Sequence, residues 1–155
     1  MKTLITSILA LLALSLGAAA EKEVALDGYC PVCYIAAGKA VKGTDEFAVK
    51  HGEATYLFVS ADAMKAFQAE PAKFLPQYDG YCAYGMAFGK KFPADPTVFT
   101  VVDGKLYLNK DAEIGKKFEK DAKGFIAKAD PEWAAIEKKM MMKKEEMMKK
   151  EEIKK

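Results

Sequence analysis

Every one of the 24 basic side chains is a lysine, and arginine is absent. The planar forks that read guanine edges and clamp phosphates are therefore missing, and nucleic-acid recognition is excluded as a function class. Histidine occurs once, at His51, so a histidine-built metal cage has a single imidazole to draw on. There is no Ser-His-Asp set, no phosphate loop and no pair of carboxylates at a telling spacing, which leaves hydrolase and kinase chemistry without residues to carry it. Past residue 20 no apolar run is long enough to cross a bilayer. No internal repeat is evident in the letters.

What is present starts at the N-terminus. Lys2, an apolar run from Leu4 to Leu16 and the small residues Ala18-Ala19-Ala20 before Glu21 make the three parts of a secretory signal peptide over residues 1–20. The mature protein is expected to begin near Glu21 and to be soluble in a periplasm or secreted, with no membrane anchor after cleavage. Cys30, Cys33 and Cys82 all survive that cut. In an oxidising compartment an odd count leaves at least one thiol free, shared between chains or held by a ligand.

Tyr29-Cys30-Pro31-Val32-Cys33-Tyr34 concentrates the chemistry. Pro31 suits the first position of a helix, which puts Cys30 at the N-cap and Cys33 on the first turn, and Gly38 is placed to end it. Sulfurs at the positive end of a helix are expected to be stabilised as thiolates, the form that attacks disulfides and binds soft metals. Glu46–Lys50 and Thr55–Val59 predict a first β-hairpin around a turn that holds His51, where a polar residue is ordinary. Ser60 caps a predicted helix, and Pro71 opens a short one carrying Phe74. The stretch from Tyr78 to Met86 predicts a further short helix with Cys82 in its middle. Val98–Val102 and Lys105–Leu108 flank Asp103-Gly104, a strong hairpin signal. A lysine-rich helical stretch runs to about Lys128, and Pro131 is expected to open the last helix. The class predicted is α+β: a small domain over 24–133 with two β-hairpins and several helices, plus a C-terminal Lys/Glu/Met-rich helix over 134–155.

Tyr29-Cys30-Pro31-Val32-Cys33-Tyr34, Gly52-Glu53-Ala54-Thr55-Tyr56-Leu57-Phe58, Pro71-Ala72-Lys73-Phe74, Tyr81-Cys82-Ala83-Tyr84 and Asp103-Gly104-Lys105-Leu106-Tyr107-Leu108-Asn109 follow one another in the order seen in exported bacterial YHS-domain proteins, which the chain resembles from about Val24 to Trp133. The resemblance implies a treble-clef-like metal-binding fold. Cys33 matches the first cysteine of the related small YHS domains, whereas Val59, Ala63 and Met64 stand where further cysteines would be expected. Cys82 matches the Tyr-Cys-Ala-Tyr motif of the exported members, and Cys30 and Cys33 are additions to their pattern.

Three roles stay open for Cys30 and Cys33: a metal site, a structural disulfide, and thiol–disulfide exchange with Cys30 as nucleophile and Cys33 as resolving thiol. Cys82 is either a third ligand or a buried core residue. Three thiolates suit Cu(I), and zinc would need a fourth donor. The tail from Glu137 to Lys155 is net +3. Its methionines Met140/Met147 and Met141/Met148 repeat at i, i+7, which leaves three readings open: thioether ligands for Cu(I), a stripe for a protein partner, or a solvated helix with flexible apolar spots. The function expected is soft-metal handling, with copper as the metal, rather than enzymatic turnover. A thiol–disulfide oxidoreductase and a non-catalytic binding module with a structural disulfide are the alternatives.

Overall fold

A computed structural model describes residues 23–153; the predicted signal peptide lies outside them. The fold is α+β, as expected. Helix α1 (Pro31–Ala37) precedes strands β1 (Thr44–His51) and β2 (Ala54–Phe58), then helix α2 (Ala61–Ala69) and the single turn α3 (Pro71–Phe74). A second series follows: the single turn α4 (Ala83–Met86), strands β3 (Asp95–Val102) and β4 (Lys105–Asn109), helix α5 (Ala112–Lys120) and the long helix α6 (Ala122–Glu152). The strands form two separate two-stranded antiparallel sheets.

The two series are one unit used twice, so the expectation of no repeat is overturned. Asp27-Gly28-Tyr29-Cys30 recurs 52 positions later as Asp79-Gly80-Tyr81-Cys82. In both copies the turn before the cysteine takes the left-handed conformation: Leu26 and Asp27 have φ of 55° and 49°, and Tyr78 and Asp79 have 56° and 54°. That conformation costs a non-glycine residue about 1–2 kcal/mol, and it recurs at equivalent positions. Cys30 N–H then donates to Val41 O at 2.8 Å, and Cys82 N–H to Phe92 O at 3.0 Å. The hairpins share a register, Ala48 opposite Leu57 and Phe99 opposite Leu108, with an irregularity at the same place in β1 and β3. Ser60 Oγ caps α2 by accepting from Ala63 N–H at 3.2 Å, and Asp111 Oδ1 caps α5 from Ile114 N–H at 2.9 Å.

Each copy has its own core. Cys30, Cys33, Phe58, Phe67 and Phe74 pack together in the first. Ala83, Met86, Tyr107 and Phe118 do so in the second, under Ala129, Trp133 and Ile136 of α6. Tyr34 joins the two. It leaves α1 to pack on Leu106 and Leu108, sets its ring edge-on to Phe99 at 4.9 Å, and donates its hydroxyl to Pro96 O at 2.8 Å.

The C-terminal third differs from expectation in one respect. The lysine-rich stretch breaks at Asp121, whose Oδ1 caps α6 by accepting from Gly124 N–H, so Pro131 lies inside α6 instead of opening a helix. Proline has no N–H to offer the carbonyl of Ala127, yet packed residues on both sides of it hold the helix continuous: Ala129 before, Trp133 and Ile136 after.

Candidate functional site

Pro31 at the first position of α1 fixes Cys30 as the N-cap, as the sequence predicts, and Gly38 ends the helix in the left-handed conformation at φ 62°. One turn of helix carries Cys33 back over Cys30, whose carbonyl accepts from Cys33 N–H at 3.2 Å. The two thiols lie close together, near enough for each to act on the other's electrostatics. Both are free of any disulfide. Around them stand Val32, Phe58, Phe67 and Phe74. Cys30 is fully buried, while Cys33 keeps 8% of its surface in contact with solvent.

The expectation of a stabilised thiolate does not hold for Cys33. Burial, then the hydrogen bond to Cys30 and the proximity of that second sulfur, push the Cys33 thiol up to about 12. Desolvation is the largest of these causes. Cys30 makes no side-chain capping bond.

Cys82 does not join the pair. It is the N-cap of α4, not a mid-helix residue, and is buried in the second repeat, where its thiol donates to Asn109 Oδ1 at 3.7 Å. The same oxygen accepts from Tyr84 N–H at 3.1 Å. Among the described residues no three His, Cys, Asp or Glu side chains converge as a metal-binding group. His51 closes β1 and faces Phe67 edge-on at 5.6 Å.

The tail methionines lie elsewhere again. Met140 and Met141 border a groove of about 900 Å³ together with Asp27, Asp79, His51 and Trp133. Lys91 Nζ approaches Met140 Sδ at 3.9 Å and lies over the Tyr81 ring at 4.1 Å. Within this groove burial raises the Asp79 carboxyl, and Glu137 and Glu23 add to the rise against the opposing pull of Lys91. Met147 and Met148 sit farther along α6 and are exposed. The groove, the cysteine pair and Cys82 are three separate places.

Asn109 is the residue that the sequence reading passed over. It falls where the first repeat has Phe58, and both are fully buried. Likewise Gly85 falls where the first repeat has Cys33. The two repeats thus present the same backbone, a cysteine-capped helix facing the capped start of a second helix, with different side chains on it. Compared with protein-family models, curated proteins and solved structures, the chain matches none.

Proposed function

We propose that the protein is an exported, non-enzymatic carrier of a soft metal ion, Cu(I), held between the sulfurs of Cys30 and Cys33. The observation that carries this reading is the contact between two unbridged thiols inside an apolar shell. Thiolate sulfur selects Cu(I), which is content with few ligands, whereas a structural zinc site takes four. Loading replaces two thiol protons by one Cu(I), so affinity rises with pH. Cys33, the less deeply buried residue of the pair, lies nearer the surface from which the ion would enter and leave. The thioethers of Met140, Met141, Met147 and Met148 stay unprotonated and form no disulfide, which suits weaker capture on the exposed tail.

Thiol–disulfide exchange with Cys30 as nucleophile would require a fully buried sulfur to reach a partner's disulfide. The sulfur contact itself favours a second reading, a structural disulfide between Cys30 and Cys33. Anaerobic titration of the reduced mature protein with Cu(I), against a chromophoric chelator, separates the two. One tightly held Cu(I) per chain is expected, lost in Cys33→Ser and in Cys30→Ser and kept in Cys82→Ser. Unchanged affinity in Cys33→Ser overturns the copper reading. A protein that takes up no copper and purifies two hydrogens lighter supports the disulfide.

A further inference from the structure

We propose that the second repeat carries a binding site for a small aromatic anion, in the cavity between α4 and α5. The cavity measures about 400 Å³ and is lined by Cys82, Tyr84, Phe88, Phe92 and Ile114. That is the size and the largely apolar character of sites for small organic ligands. Gly85 lets the Phe92 wall pack directly on the backbone of α4: a Cβ there would stand 2.7 Å from the Phe92 ring. Phe88 and Phe92 are 56% and 41% exposed although both border a concavity that could cover them. Two phenyl rings left in water around a hollow mark a place where an apolar ligand would gain by displacing solvent.

The rim gives the sign of the ligand's charge. Four ionic side chains stand there: Lys90, Lys110, Asp111 and Glu113. Both acids are committed, since Asp111 caps α5 and the Glu113 carboxylate accepts from Lys117 Nζ at 2.7 Å. Lys90 and Lys110 make no ion pair among the described residues. Lys110 Nζ lies over the Phe92 ring, 5.8 Å from its centre, so the wall of the cavity carries a cation as well as an aromatic ring. An aromatic ring with an acidic group matches both.

The internal repeat supplies an independent line. Positions equivalent to Tyr84, Phe92, Lys110 and Ile114 hold Val32, Val41, Val59 and Ala63 in the first repeat. At one place on a shared backbone, aliphatic side chains have given way to two aromatics and a cation. Behind the Cys82 thiol, Asn109 replaces Phe58, and its Nδ2 has no hydrogen-bond partner although the residue is fully buried. Asn109 is one contact removed from the cavity, through the Cys82 thiol that donates to its Oδ1.

The test uses the full mature chain and two probes, anilinonaphthalene sulfonate and its uncharged relative N-phenylnaphthylamine, each followed by fluorescence. Saturable one-to-one binding of the sulfonate is expected. Phe88→Ala should weaken both probes by about tenfold or more, and Lys110→Glu should weaken the sulfonate by that factor while sparing the neutral probe. Both substitutions are at exposed positions, so near-ultraviolet circular dichroism should match the wild type. Sulfonate binding indifferent to either substitution, or no saturable binding, overturns the proposal.

Discussion

Cys82 occupies in the second repeat the place that Cys30 occupies in the first. Each caps a helix, each follows the same left-handed Asp-Gly turn, and each donates its N–H to the strand-entry loop of its own repeat. A cysteine at both positions is a shared feature of the scaffold, on which the first repeat sets Cys33 beside Cys30 and the second sets Asn109 against Cys82. Cys33 has no such counterpart, because Gly85 stands at the equivalent position. The chemistry that distinguishes the first repeat is therefore added by Cys33, and in the second the Phe92 ring packs against the bare backbone of Gly85.

The buried state of Cys33 makes stability depend on alkaline pH. Folding raises its pKa to about 12, with burial the largest cause and the hydrogen bond to Cys30 next. A folded-state pKa above the unfolded one means that the folded protein holds a proton which the unfolded chain has released. The contribution is complete below about pH 8.5, where a free thiol ionises. It then declines as pH rises toward 12, because in that window the native state binds more protons than the unfolded state. Urea unfolding of the reduced protein at pH 8, 9, 10 and 11 should show wild type losing stability more steeply than Cys33→Ser. Parallel profiles would mean that Cys33 is not held protonated by its surroundings.

Much of the local structure was legible because it rests on local physics. Pro31 and Gly38 bound α1, Ser60 caps α2, and Asp103-Gly104 turns β3 into β4, each within a few residues of the letters that specify it. The repeat was hidden because its identities are scattered: Asp-Gly-Tyr-Cys, a Gly-Lys pair at 38–39 and 89–90, Tyr-Leu at 56–57 and 107–108, and single residues at 61/112, 65/116, 67/118 and 74/125. Between the cysteine and that glycine the second copy is one residue shorter, so no single offset aligns both halves. The hairpins keep their register because the alternation of buried side chains and the turn geometry set it, and Tyr56-Leu57 recurs as Tyr107-Leu108. The state of Cys33 was misread for a different reason. A helix terminus can be read from sequence, whereas the rings of Phe58, Phe67 and Phe74 that desolvate the sulfur arrive from distant positions.

Tyr34 is the joint between the repeats, and one atom of it should be measurable. Its hydroxyl donates to Pro96 O at 2.8 Å across 62 residues of chain, and both residues are buried. Tyr34→Phe keeps the ring against Phe99 and leaves the carbonyl of Pro96 without this donor. The expected cost is about 1–2 kcal/mol of unfolding free energy in a urea titration with an unchanged slope. A change within error of zero would mean that water replaces the hydroxyl and that packing alone joins the halves. Burial also raises the Tyr34 pKa, so the phenol stays neutral and able to donate across the accessible pH range.

Pro131 tests what holds α6 in one piece. The helix runs from Ala122 to Glu152 with the proline nine residues from its start, and its apolar stripe, Ile126, Ala129, Trp133, Ile136 and Met140, steps by three and four through that point. Up to Ile136 the stripe packs on the second repeat's core. Tyr78 adds a hydroxyl bond to Asp130 Oδ1 at 2.8 Å, directly beside the proline. Tertiary contacts thus hold a residue that an isolated helix would reject at a cost of about 3 kcal/mol. Pro131→Ala supplies the missing N–H to the carbonyl of Ala127 and removes the ring that crowds it. The variant should unfold at a higher temperature, with a gain of about 1–3 kcal/mol and greater helical ellipticity. A loss of stability would instead mean that the core beneath Ala129 and Trp133 is fitted to a bend that the proline imposes.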